Sequence, residues 1–465
     1  MTPQPSSASV SSPKQRTKGG VHAPVAFDAD LYKARRAQVL ERLGRNTLVL
    51  FSPPEAHRTH DLNYRYRPDS DVYYLTGFDE PETVVVLTND HPEHKFVMFV
   101  RPRDAERETW DGFRAGLEGA VSRYGADVAF PISEFSSKIA DYLNNGQTLY
   151  YRFSRDEVFN QHIFNAMKAA RWRSHRSGHA PDTIRDTGCL LGEMRLRKDP
   201  SELNRMRVAG EIAAEAHCEA MLAAAPGKYE FEIEAVIEYV FRRRGALGPA
   251  YTSIIGSGAN ATILHYNTND RLMEDGDLLL IDAGCEFGYY ASDITRTFPV
   301  NGKFTDPQRK IYEAVLKSQL ASIDMVKPGN RFIDYHNKAT EVLVEELLKL
   351  GLLEGTVEKN LEDKAYMKFY MHRAGHWLGS DVHDACSYVV EQEDDFVSRI
   401  FEPGMVVTVE PGLYFQTSLE GVPAEYLGIG IRIEDDVVVT ETGNEILTAG
   451  VPKFIDEIEA LMARG

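Results

Sequence analysis

The stretch DLLLIDAGCEFGYYASDITRTFPV, residues 277–300, holds an apolar strand ending in Asp282, a turn around Phe287 and Gly288, and a returning segment that carries Asp293. The run LLLI would bury Asp282, and an unpaired carboxylate there costs several kcal/mol, so it requires a cation partner. With Phe287 and Gly288 as a two-residue hairpin loop, Asp282 and Asp293 become direct cross-strand neighbours about 5 Å apart. Two like charges at that spacing need a proton or a bridging metal. The segment reads as part of a mainly antiparallel sheet.

Two further carboxylates repeat the pattern. Glu410 closes the strand MVVTVE before Pro411 and Gly412, and Glu434 lies in IRIEDDVVV, where alternation puts it on one face with Arg432 while Ile431 and Ile433 take the other. A single acidic residue at a strand end is an ordinary surface charge or salt bridge. Four of them in one region, with a histidine cluster, point to a metal site. Oxygen donors with one or two imidazoles suit hard divalent ions such as Mn²⁺ or Mg²⁺ better than Co²⁺ or Zn²⁺. Two such ions about 3.5–4 Å apart can hold a hydroxide near neutral pH, which is the makeup of a hydrolase.

The histidine cluster is HRAGHWLGSDVHD, residues 372–384, with His372, His376 and His383. His372 and His376 have the spacing of a zinc protease helix, but the glutamate of HExxH is missing, and Gly375 and Gly379 oppose a stable helix. His265, in GSGANATILHYNTND, is a fourth candidate. Spacing alone does not rank the four.

The rest of the chain frames this region. Its 465 residues predict two or three domains at about 150 residues each. A net charge of −18 disfavours nucleic acid as a partner. No apolar run approaches the ~18 residues of a membrane span. Four scattered cysteines form no CxxC pair, which fits a reducing, cytoplasmic setting. Residues 1–26 are rich in Ser, Pro and Lys, without a secretory core, and read as a disordered tail. From 27 to 197, a helical stripe through Leu31, Val39, Leu40 and Leu43 and the runs LVLF, VVVL and FVMFV predict an α/β domain. A helix capped by Asp199, with Pro200 in its first turn, opens the second domain, 198–465, where helices near 231–244, 308–326 and 335–350 should cover one face of the antiparallel sheet.

With Asp282, Asp293, His376, Glu410 and Glu434 assembled, the sequence resembles the aminopeptidase P and prolidase branch of the pita-bread metallopeptidases. GSGANATILHY, LLLIDAGCEFGYYASDITRTFPVNGKFT, HWLGSDVHD, VVTVEPGLYF and GIGIRIEDDVVVTETGNEILT stand in that family's order, and the similarity covers nearly all the chain after the tail. IDAGCE, PGLYF and NYRYRPDSDVYYLTGFDEPE are most similar to the bacterial aminopeptidases P. The resemblance implies a creatinase-like N-terminal α/β domain and a pita-bread catalytic domain. It also implies hydrolysis of the N-terminal Xaa-Pro bond by a hydroxide bridging two divalent ions, most often Mn²⁺, in a cytoplasmic dimer or tetramer.

Residue by residue, the resemblance makes Asp282, Asp293, His376, Glu410 and Glu434 the metal ligands, with Asp293 and Glu434 bridging and Glu410 relaying the water proton to the prolyl nitrogen. His383 would hydrogen-bond the substrate carbonyl and gem-diolate, His265 and His372 would line the proline and leaving-group side, and Arg432 would orient ligands and substrate. Asp61 and Trp110 would line the entrance, Trp110 from a neighbouring subunit. Arg373, Ala374 and the segment Ala385-Cys386-Ser387 depart from the family's usual residues beside the proline pocket. Three alternatives stand beside this reading. A prolidase would cut only Xaa-Pro dipeptides, a creatinase-type enzyme would need no metal and not all five ligands, and a non-catalytic binding module would have lost some of them.

Overall fold

The computed structural model describes residues 20–143, 146–153, 155–175, 179–393 and 395–465. Most of the tail expected over 1–26 lies outside these residues. Its last part is extended, with the His22 N–H donating to the Arg244 carbonyl at 3.0 Å and Val25 packed on the catalytic core.

The N-terminal domain is a six-stranded mixed sheet in the order Val128–Pro131, Phe96–Val100, Thr83–Thr88, Thr47–Ser52, Thr148–Tyr150, Thr183–Arg185. Its central strands read as unbroken apolar runs because both faces are covered. Leu48, Leu50, Val85, Leu87 and Met98 pack against Val39 and Leu43 of the helix Ala29–Leu43. The alternate residues Val49, Val84, Val86, Val97 and Phe99 meet Phe159, Ile163 and Ala166 of the helix Glu157–Ser174.

The catalytic domain consists of two successive units, each a helix pair followed by antiparallel strands. The first has Pro200–Ala223 and Glu230–Arg244, then Ile254–Ser257, Leu278–Asp282 and Thr295–Pro299. The second has Asp306–Ile323 and Phe332–Lys349, then Val406–Val409, Gly412–Tyr414, Gly430–Arg432, Asp435–Val439 and Asn444–Ile446. Every pairing described among these strands is antiparallel. Helical residues such as Ile212, Ile237, Ile311 and Leu343 form one core with Leu279, Ile281, Leu413, Ile431 and Ile433 from the strands. The opposite strand faces are left to the polar cavity described below.

The hairpin at the centre differs from the sequence expectation by one residue. Its loop is Gly288-Tyr289, with φ of +56° and +65°, so Phe287 pairs with Tyr290 and, further back, Asp282 pairs with Thr295 rather than Asp293. Both loop residues are left-handed, as a type I′ turn demands, and that turn matches the twist of the strands it joins.

The domains meet through charge. Arg35 of the first helix reaches Asp199 at 2.7 Å and Glu202 at 3.2 Å, the two residues whose side chains form the capping box of the helix Pro200–Ala223. Arg195, only 2% exposed, bonds Asp71 of the N-terminal domain at 2.7 Å, and Asp381 at 2.6 Å, Asp384 at 2.5 Å and the Ser380 hydroxyl at 2.8 Å in the catalytic domain.

Candidate metal centre

Each acidic side chain reaches the cavity because its neighbours along the strand are committed to the core. Leu279 and Ile281 face the helices, so Asp282 turns the other way, and Ile431 and Ile433 do the same for Arg432 and Glu434. Asp293 leaves the hairpin just before Thr295, its N–H donating to the buried Asp436 carboxylate at 3.1 Å. The histidine segment is irregular and runs beside Val406–Val409. The Thr408 N–H donates to the His376 carbonyl at 3.0 Å, and the Glu410 N–H donates to the Ala374 carbonyl at 2.9 Å. Gly375 is required at that crossing, because its φ is +152° and a Cβ there would lie 2.1 Å from the Thr408 carbonyl oxygen.

All five expected ligands line one cavity of about 680 Å³, together with His265, His372, His383 and Arg432. Among the described residues, Asp293, His376 and Glu434 offer ligand atoms that all lie within 4.8 Å of one another. Asp282 and Asp293 meet through a residue that the sequence did not single out. The Tyr251 hydroxyl lies 2.6 Å from one and 2.5 Å from the other. A phenol has one hydrogen to donate, so two ionised carboxylates there call for a further proton or a cation.

The remaining contacts orient the set. Arg432 donates to Asp282 at 2.6 Å, to the Thr295 hydroxyl at 3.0 Å and to the Tyr414 hydroxyl at 3.1 Å, and Thr295 donates to Glu434 at 2.6 Å. The His376 Nδ1 faces the Trp377 carbonyl at 3.0 Å, and a carbonyl can only accept, so Nδ1 carries hydrogen. That leaves Nε2 directed at Asp293, 3.3 Å away, and Glu410, 3.7 Å away. His372 is engaged at both nitrogens, by the Arg373 carbonyl at 2.7 Å and the Tyr414 hydroxyl at 2.9 Å. His383 stacks edge-on against His376 with ring centres 4.3 Å apart. Asp61 and Trp110 are not part of this lining. Asp61 is in an exposed turn and Trp110 is 82% exposed in the helix Ala105–Asp111.

The electrostatics are those of a site with an excess of buried negative charge. Burial pushes Glu410 up to about 7 against the pull of His376 and Arg432, and burial with Asp293, Glu410 and Asp282 raises Glu434 well above the carboxylate range. Burial also raises Asp282, opposed by Arg432. For Asp293 burial acts upward too, but the His376 contact outweighs it and holds the carboxyl low. The same contact overcomes burial at His376 and lifts it to about 9, whereas burial and Arg432 push His372 down to about 3. Four carboxylates that repel one another, with one arginine and one imidazole between them, fit divalent cations.

A metal must displace the protons that Glu410 and His376 hold, so affinity should fall as pH drops from about 9 to about 6. Metal titration at several pH values tests this, and a pH-independent affinity contradicts it.

Residues 204–441 match metallopeptidase family M24, and residues 32–150 match the aminopeptidase P N-terminal domain. The chain belongs to metallopeptidase family M24. Its N-terminal sheet and its M24 domain occur together in the relatives. The Xaa-Pro aminopeptidase of Escherichia coli K12 is 45% identical over 433 residues, 93% of this chain and 97% of that one. The structure of Pseudomonas aeruginosa aminopeptidase PepP superposes with a TM-score of 0.90 at 44% identity, covering 94% of this chain and 98% of that one. Zinc-substituted E. coli aminopeptidase P with bound product gives a TM-score of 0.89 at 44% identity, covering 95% and 99%. The M24 assignment bears out the expected family and the pita-bread domain with its antiparallel strands.

Tyr251, Thr295, Tyr414 and Asp436 are the site residues that sequence reasoning missed. Asp436 and Thr295 sit two residues from the expected ligands Glu434 and Asp293 and could have been found by asking what orients them. Tyr251, in GPAYTS, carries no spacing signal.

Proposed function

We propose that this chain is a metal-dependent Xaa-Pro aminopeptidase, which removes the first residue from peptides with proline in the second position. The observation that carries the reading is the convergence of Asp282, Asp293, His376, Glu410 and Glu434 on one cavity with His383 beside them. Near full-length relatives named for this activity support it. Bound at those five residues, divalent ions, which we propose to be two Mn²⁺, would supply Lewis-acid polarisation of the scissile carbonyl and activation of water.

The protein's own groups do the rest. Glu410 takes a proton from the attacking water and delivers it to the prolyl nitrogen, which has no hydrogen and leaves poorly until protonated. His383 donates to the carbonyl oxygen as negative charge develops there. His265 and His372 flank the proline ring, and the neutral state of His372 keeps that wall free of charge. Arg432 fixes Asp282 directly and Glu434 through Thr295. The assay that tests this compares Ala-Pro-Ala with Ala-Pro on Mn²⁺-loaded protein. Release of alanine from the tripeptide is expected to be faster, and a preference for the dipeptide would identify a prolidase instead.

We place the enzyme in the cytoplasm, supported by four cysteines none of which is in a disulfide. We also propose a homo-oligomer in which a second copy covers Trp110 and Phe113, 82% and 90% exposed, bringing Trp110 and Asp61 to an active-site entrance. Trp110→Asp should lower the mass measured by light scattering, and a wild-type monomer would contradict the arrangement.

A further inference from the structure

A second cavity, also about 680 Å³, opens beside the metal centre and shares His383 with it. One wall comes from the N-terminal domain, with Arg152, Asp186 and Glu193, and the other from the segment after His383, the strand Val389–Gln392 and Arg399. An enzyme that removes one residue has a single side chain to accommodate before the scissile bond. A cavity of this size exceeds that need, and it begins at the residue that contacts the scissile carbonyl in the reading above. It is therefore placed for the peptide that follows proline, a segment that a dipeptide lacks.

Most charges on its walls are neutralised by neighbours. Glu193 is held by Arg399 at 2.5 Å, Arg152 lies 3.2 Å from Asp71, and Asp381 is bound by Arg195. Asp186 and Glu391 face the cavity, both exposed, and neither has an ion-pair partner among the described residues. The Asp186 carboxylate accepts only the Gly188 N–H, at 2.7 Å. Arg185 reaches Cys189 on the same wall as Asp186, so Arg185, Asp186 and Glu391 together leave one net negative charge, with the carboxylates on opposite walls.

We propose that this cavity binds the downstream peptide and, through Asp186 and Glu391, favours lysine or arginine at the third or fourth position of the substrate. This inference rests on the Xaa-Pro aminopeptidase reading. Exposed charge pairs contribute roughly twofold to fivefold each. The test measures kcat/KM of the Mn²⁺-loaded enzyme on Ala-Pro peptides with lysine or glutamate at positions three and four, at low and high salt. Wild type should prefer lysine by about tenfold, with the preference shrinking at high salt. The double variant Asp186→Asn, Glu391→Gln should bring the ratio near unity while leaving Ala-Pro-Ala turnover unchanged. Equal rates for the two peptide sets in wild type, or a preference that survives in the variant, overturns the subsite while Ala-Pro-Ala is still cleaved. Failure to cleave any Xaa-Pro peptide overturns the activity reading itself.

Discussion

Asp293→Asn should remove bound metal and turnover together, lowering kcat/KM by more than about 10³-fold. The replacement is nearly isosteric, so the fold has no steric reason to change. What it removes is charge. Asp293 is one of three residues whose ligand atoms cluster within 4.8 Å, it accepts from Tyr251, and it alone holds His376 at 3.3 Å. A neutral amide is a far weaker ligand than a carboxylate, and the change leaves the His376 Nε2 with only the more distant Glu410 as an anionic neighbour. Without metal the variant should be less stable than wild type, because the His376 contact that holds Asp293 ionised is lost and the imidazole is left buried beside an uncharged amide. Added Mn²⁺ should raise the melting temperature of wild type and leave that of the variant unchanged. Metal content, turnover and thermal shifts measured on one preparation decide the matter. A variant that retains full activity refutes the metal centre described above.

The second large effect is expected where the two domains meet. Arg195→Met should cost about 2–3 kcal/mol of stability, since Asp71 and Asp384 lose the buried cation they share and keep one partner each, Arg152 at 3.2 Å and Lys198 at 3.0 Å. That is a large share of the roughly 5–15 kcal/mol that holds a domain folded. Asp381 and Asp384, both bound to Arg195, bracket His383 in the chain, so the same change should loosen that histidine. Arg195→Lys keeps the charge but lacks the fork that serves several acceptors at once, and should fall between the two. Denaturant unfolding gives the stability, while kcat on Ala-Pro-Ala at saturating Mn²⁺ reports on His383. Unfolding within about 0.5 kcal/mol of wild type would show that the cluster holds nothing together.

The sequence carried the parts of this architecture that depend on alternation and capping. Glu434 could be read because Ile431 and Ile433 declare the core face and leave it on the other, and Asp282 because it ends the apolar run of residues 278–281. Asp199 announced the first catalytic helix through its cap, which the structure reproduces. The hairpin register was misplaced because glycine is usually the second loop residue, whereas here Gly288 is first and Tyr289 takes the left-handed second place. The two aspartates consequently meet through Tyr251, and nothing local to Tyr251 announces a partner some thirty or forty residues ahead. The doubled helix-pair-and-strand organisation was equally hidden, because it repeats in the order of elements and not in short-period sequence.

That doubling has a bearing on how the enzyme is made. Asp282 and Asp293 come from the first unit, Glu410 and Glu434 from the second, and His376 from the segment between the helices and strands of the second. Ribosomes extend a chain at roughly 5–20 residues per second, and domains fold as they emerge. The two units share one core, however, so the pair of carboxylates on the earlier unit waits for the strands of the later one. The set of five side chains is complete only when Glu434, the last of them in the chain, has joined the fold.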